Sequence, residues 1–293
     1  QAGGWPHFSP PLLVDNEGAS EADLEWDAKR QVVHFVFVKP VNNINQIFYS
    51  HSLWETRKIN GLSEGEALSD ESLPSQNPKI AIAPDGSLHV VWERMRLGEG
   101  GPYTEIVYRS RTPDGTWGGQ STVSSGESHI PNCPTSGGVE AIKTNRAPEI
   151  AVGEDGIPRI VWATHERTVQ WAVSVPTGTG GGTPACEILF GEVTEKIRFS
   201  QGGSETDLFK NTVQTTGTPP PETTPLSPFL ENYFGIPSTG LRLVVGQGGE
   251  SHLAWVLIDT TTPLDSVYRP VYQNSLSSSW SNAPISLSTL NKG

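Results

Sequence analysis

Charge, sulfur and long apolar runs are all scarce in this sequence. Only 18% of its 293 residues are charged, and acids outnumber bases to give a formal net charge of −12. Phosphate backbones bind basic surfaces, so this balance argues against nucleic acid as a partner, and against anionic lipid. No stretch approaches the eighteen or so apolar residues of a membrane-spanning helix. Methionine occurs once and cysteine twice. No CxxC pair or Cys/His cluster is present, so a zinc site is not expected. P-loop, GxGxxG, HExxH, GxSxG and EF-hand signatures are missing too, and no cofactor or metal is expected. The breakers, in contrast, are plentiful, with Gly 31 and Pro 24, and Trp 9 is high. That composition fits short, aromatic-rich strands and turns better than long helices.

The start, Gln1-Ala2-Gly3, carries neither Met nor a charged-then-apolar leader. It reads as a mature chain after signal-peptide removal, which places the protein outside the cell, on its surface or in a periplasm. In such a compartment Cys133 and Cys186 are expected to pair. In the chain-entropy model a loop of that length contributes roughly 4 kcal/mol. Two separate buried thiols are the other reading.

Internal repetition organises the chain. His34-Phe35-Val36-Phe37 lines up with His89-Val90-Val91-Trp92, Arg159-Ile160-Val161-Trp162 and His252-Leu253-Ala254-Trp255. Three of the four follow a short apolar run and a turn: Pro84-Asp85-Gly86, Glu154-Asp155-Gly156 and Gln247-Gly248-Gly249. Asp-Gly and Gly-Gly provide the positive φ of tight hairpins. The sequence predicts a third strand in each unit, at Ile47–Ser50, Ile106–Arg109, Val169–Ala172 and Val267–Arg269. Trp54, Trp117 and Trp280 then open a fourth strand in three units. Repeated sets of four short strands predict an all-β fold, a β-propeller of four-stranded antiparallel blades. Four repeats are recognisable, in one domain over 1–293, with a Gly/Thr/Pro-rich insertion at 176–239. Glu187–Phe190 and Lys196–Phe199 read as a short hairpin inside that insertion.

The strand count leaves one over, because Trp5–Val14 also resembles a fourth strand. A degenerate fifth blade between Pro184 and Ser238, a longer propeller with further blades, or pairing with another subunit would each account for it.

Ser110-Arg111-Thr112-Pro113-Asp114-Gly115-Thr116-Trp117 resembles the Asp-box of the sialidase-like, bacterial-neuraminidase-repeat superfamily. The resemblance implies a propeller with Ser110, Asp114, Gly115 and Trp117 on a third-to-fourth-strand turn, remote from the functional face. It also implies a site on the face formed by the second-to-third-strand loops and by the loops from each fourth strand to the next first strand. The residues expected there are Lys39, Glu93, Arg94, Arg96, Tyr103, Lys143, Arg146, His165, Glu166, Arg167 and Asp259. Of these, Arg94, Arg96, Tyr103, Arg146, Arg167 and Asp259 are the ligand-binding candidates. A sialidase needs three arginines on a carboxylate, for which Arg94, Arg146 and Arg167 are available. The Phe/Tyr-Arg-Ile-Pro hallmark of sialidases is missing, however.

Two functions follow. One is an exported, non-catalytic propeller that binds a glycan or protein at its loop face, with subunit contacts through the N-terminal strand or the 176–239 insertion. The other is a carbohydrate-active enzyme, a glycoside hydrolase or polysaccharide lyase, using Glu93, Glu166 and His165 as acids and bases. Solvated charges at the ends of buried strands are the plainer account of those three side chains. His34, His89 and His252 recur with the repeat, so packing or a turn hydrogen bond explains them better than a metal.

Overall fold

The computed structural model describes residues 18–55, 58–59, 65–70, 72–129, 138–174, 185–216, 240–259, 267–276, 279–280 and 285–286. These residues form four antiparallel sheets and no helix. The first sheet runs β1 (Ser20–Asp27), β2 (Val32–Val41) and β3 (Ile44–Glu55). β4 (Lys58–Ile59) and β5 (Glu66–Ala67) both pair with β3. The second is β6 (Ser75–Ile82), β7 (Leu88–Gly98), β8 (Gly101–Arg111) and β9 (Ser121–Ser124). The third orders β10 (Glu127–His129), β11 (Gly138–Val152), β12 (Pro158–Ser174), β13 (Ala185–Gln201) and β14 (Ser204–Thr216). The fourth holds β15 (Arg242–Val245), β16 (Ser251–Asp259) and β17 (Val267–Leu276), with β18 (Ser279–Trp280) and β19 (Ile285–Ser286) on β17.

Alternation along these strands makes each sheet apolar on both faces, and the sheets stack through three cores. Val36, Val38 and Ile47 of the first sheet meet Ile80, Val90 and Trp92 of the second. On the other face of the second sheet, Ala81, Val91 and Ile106 meet Ile150, Ile160 and Trp162. Val161, Ala163 and Ile197 then meet Leu243, Leu253 and Trp255. Trp92, Trp162 and Trp255 hold the same repeat position and are each fully buried. At one end, the first-hairpin turns of all four sheets line a common cavity that includes Arg30, Pro84, Glu154 and Gln247. The first strands therefore surround one axis, the arrangement of propeller blades.

The recurrent histidines each reach a tyrosine across the sheet. The Nδ1 atoms of His34, His89 and His252 lie 2.8, 2.6 and 2.7 Å from the hydroxyls of Tyr49, Tyr108 and Tyr272. In the third sheet Phe199 replaces the tyrosine and Arg159 replaces the histidine, paired instead with Asp155 at 2.7 Å.

Four strand assignments change. Trp54 does not open a fourth strand but belongs to β3, which runs to Glu55 and pairs Trp54 with Ile59 of β4. Val169–Ala172 is not a third strand but the far end of β12, which runs unbroken to Ser174. The two pieces read as a hairpin, Glu187–Phe190 and Lys196–Phe199, form the single strand β13. Residues 185–216 thus complete the third sheet and are not available for a fifth blade. In the fourth sheet the register sets Tyr272, not Tyr268, opposite Ala254, the counterpart of Tyr49 opposite Val36. Trp5–Val14, Cys133 and residues 217–239 lie outside the described residues, and with Cys133 the expected disulfide. Cys186 falls in β13, its backbone opposite Val173.

The Ser110–Trp117 segment does form the turn between β8 and β9. The Gly115 N–H donates to Thr112 O, the Thr112 N–H to Thr116 O, and the Thr116 N–H to Asp114 Oδ1. Hydrogen bonds from Thr112 and Thr116 hold the Asp114 carboxyl below its ordinary range. Arg111 opposes Leu88 in the ladder, so this turn lies at the same end as Pro84-Asp85-Gly86. Trp117 meets Tyr49 edge-on at 5.3 Å, and Arg111 Nη1 donates to the Tyr49 hydroxyl at 3.1 Å, tying the second sheet to the first.

Candidate binding site at the axial cavity

The innermost strands share a device that the residue types alone do not reveal. β1, β6 and β11 each break register once, between Ser20 and Asp23, Gln76 and Lys79, and Arg146 and Glu149. Each break holds a non-glycine residue in the left-handed region: Glu21 at φ 46°, Asn77 at 50° and Ala147 at 52°. Gly240, at φ 90°, takes the same place ahead of β15. All four stand six residues before the residue that opens the first-hairpin turn: Asp27, Ala83, Gly153 and Gly246. A β-bulge turns one backbone N–H out of the ladder and re-aims the neighbouring side chains. Here the freed N–H groups are caught by carboxylates from the preceding sheet. The Asn77 N–H donates to Glu21 Oε2 at 2.7 Å, and the Ala147 N–H to Glu93 Oε1 at 2.6 Å.

The bulges of β6 and β11, with Gly240 ahead of β15, line a cavity of about 380 Å³ at the end of their strands opposite the hairpin turns. Gln76, Asn77, Lys79, Glu93, Arg146, Glu149 and Arg242 are among its walls. Glu93 is 1% exposed and accepts three hydrogen bonds: from the Gln76 amide at 2.7 Å, the Asn77 amide at 2.7 Å and the Ala147 backbone. Glu149 pairs with Lys79 at 2.9 Å and with Arg242 at 2.5 Å, linking three sheets' worth of side chains at the rim. The cavity is therefore polar, with its acids held by donors.

The residues expected at the loop face divide between places. Glu93 and Arg146 line the axial cavity. Arg94 follows Glu93 in β7 and so points to the other face of its sheet. There its guanidinium forks onto Glu105 at 3.1 and 2.7 Å, and Arg96 reaches the same carboxylate at 2.8 Å. Tyr103, opposite Arg96, lies against Gly98 and Gly126, where a Cβ would come within 3.2 and 2.5 Å of its ring. His165 and Glu166 lie on opposite faces of β12: His165 Nδ1 meets Glu195, and Glu166 takes Lys196 Nζ at 2.7 Å. Arg167 opposes Ile142, four rungs from the Ala163 that opposes Arg146, so Arg94, Arg146 and Arg167 do not converge. Lys143 faces Glu166 across the ladder, and Lys39 lies over the Phe48 ring at 5.7 Å. Asp259 is the last residue of β16, and its side chain falls outside those described. Glu93, His165 and Glu166 are thus not assembled into one constellation.

Sequence reasoning missed Gln76, Asn77, Lys79, Glu149, Glu105 and Arg242. The signal for the first four was available: a polar run six or so residues before each hairpin turn, in step with the repeat. Among the described residues no three His, Cys, Asp or Glu side chains are grouped so as to hold a metal ion.

No family model and no curated protein matches the chain. Among solved structures it is similar to the Cellvibrio cellulosa α-L-arabinanase complexed with arabinohexaose, at 9% identity and a TM-score of 0.38, over 92% of this chain and 76% of that one. It is also similar to a thermostable family-43 glycoside hydrolase, at 8% and 0.30, over 90% and 92%. A third is a Dyadobacter fermentans protein of unknown function, at 10% and 0.30, over 89% and 96%. Likeness this distant assigns no activity.

Proposed function

We propose that the chain is a carbohydrate-binding propeller module that holds a neutral oligosaccharide in the axial cavity without cleaving it. The observation that carries this reading is the state of Glu93. A glycosidase needs one carboxyl free to give a proton and a second free to attack or to activate water. Glu93 is buried and spends its oxygens on three donors. What it leaves at the cavity wall are side-chain amides, the Lys79–Glu149–Arg242 ion group and the Arg146 guanidinium, groups able to hydrogen-bond sugar hydroxyls. Calorimetric titration with a panel of neutral oligosaccharides tests it. At least one is expected to bind, and R146A is expected to weaken that binding about tenfold, or 1.4 kcal/mol, with the melting temperature unchanged.

One observation favours a second reading. Glu93 and Glu149 line the same cavity, as a hydrolase's two carboxylates would. In that case reducing sugar is released and E149Q abolishes the release. No release from any oligosaccharide that binds removes this alternative.

A further inference from the structure

The fourth sheet departs from a rule that the second and third obey. Each of those offers the freed N–H of its bulge to a carboxylate from the sheet before it. The Asn77 N–H meets Glu21, which sits at the bulge of the first sheet. The Ala147 N–H meets Glu93, which follows the buried Trp92. Gly240 holds the equivalent place ahead of β15, at φ 90°. In the sheet before it, the third, both carboxylate positions are alanine: Ala147 at the bulge and Ala163 after Trp162. Among the described residues the Gly240 N–H has no acceptor. A second donor stands beside the same gap. Arg146 opposes Ala163 in the ladder as Gln76 opposes Glu93, and there the Gln76 amide donates to Glu93 at 2.7 Å. Arg146 has no carboxylate partner among the described residues.

We propose that a carboxylate from outside the chain fills this gap, accepting hydrogen bonds from the Arg146 guanidinium and the Gly240 N–H where Glu93 serves the interface one sheet earlier. Both donors line the cavity of about 380 Å³. Its charged walls are three cations, Lys79, Arg146 and Arg242, and two acids, Glu93 and Glu149. Glu149 is shared by Lys79 and Arg242, and Glu93 is taken up by neutral donors. Arg146 is thus the charge left for a ligand, and a single negative charge matches it. A guanidinium meets a carboxylate through two parallel N–H···O bonds, each roughly twice as strong as a bond between neutral groups. No arginine triad is involved, since Arg94 is engaged by Glu105 and Arg167 stands four rungs along the strand. The carboxylate site does not depend on an oligosaccharide being bound.

Acetate titrated into the full chain, labelled with 15N-glycine and free of sugar, tests this by NMR. A saturable shift of the Gly240 amide is expected. R146Q, which installs the second sheet's residue type, is expected to raise the midpoint about tenfold or more. A163E supplies the missing acid within the chain. It is expected to move the Gly240 amide by itself and to abolish the response to acetate. If A163E does not fold, R146Q decides. Glucuronate, titrated in parallel, separates two sources of the carboxylate. A midpoint like that of acetate identifies a free acid, and one lower by about tenfold or more identifies an acidic sugar residue. A Gly240 amide that acetate leaves unmoved overturns the proposal. So does a shift that never saturates, or one whose midpoint R146Q leaves unchanged. Binding of a neutral oligosaccharide is measured without acetate, so either reading can fail while the other stands.

Discussion

Glu93 shows how a buried acid is made tolerable in this molecule. Its carboxylate is out of water, but two amides and a backbone N–H from two sheets replace the water. Cutting it back to alanine strands three donors, each costing about 1–3 kcal/mol when left unmade. E93A is therefore expected to lose about 3–5 kcal/mol in denaturant unfolding. E93Q fares little better, since its own NH2 must face another donor. His34 makes a second prediction. Burial, with a smaller push from His51, lowers its pKa from 6.5 to about 4. Burial also raises its partner Tyr49 to about 12. Below pH 6.5 the unfolded chain binds a proton at His34 that the folded chain refuses until about pH 4. Stability therefore falls as pH drops through that window and levels off beneath it. H34Q should flatten this part of the curve of melting temperature against pH, and an unchanged slope would contradict the assignment.

At the scale of the element, the bulges and turns carry the strain. Ala147 holds φ at 52° without glycine's freedom, at a cost of about 1–2 kcal/mol. A147G relieves that cost but adds unfolded-state entropy, for an expected net gain of about 0.5–1 kcal/mol and a small rise in melting temperature. The opposite change at the opposite kind of site is G115A. Gly115 has φ 98°, and an added Cβ would lie 3.1 Å from Arg111 Nη2. G115A is expected to lose about 1 kcal/mol or more and to weaken the Arg111–Tyr49 link between sheets. These elements also mark how far the sequence could be read. His89-Val90-Val91-Trp92 and its copies were legible because a two-residue period fixes which face each side chain takes. The third sheet was not, because β12 is longer than its counterparts β2, β7 and β16: Val169–Ala172 has the composition of a new strand while continuing an old one. The bulges were invisible because they rest on a backbone angle, which Glu21, Asn77 and Ala147 do not share as residue types.

For the whole molecule, four sheets stack around one axis with a polar cavity at one end and the hairpin turns at the other. Glu93 was legible as an acid at the end of a buried strand. Its partners were not, since Ala147 lies in the next sheet and no local spacing announces it. Arg94 and Arg96 looked like ligand-binding groups from their place in the chain. Their shared Glu105, on the neighbouring strand, accounts for them inside one sheet. The axial cavity is proposed to bind a neutral oligosaccharide and to leave it intact. Ligand-observed NMR on the full chain with such oligosaccharides reads both halves in one sample. Saturation transfer from the protein to a bound sugar is expected, with a dissociation constant about tenfold higher in R146A by titration of that signal, and anomeric signals that stay constant over hours. New reducing-end anomeric signals would contradict this reading, and so would a dissociation constant that R146A leaves unchanged.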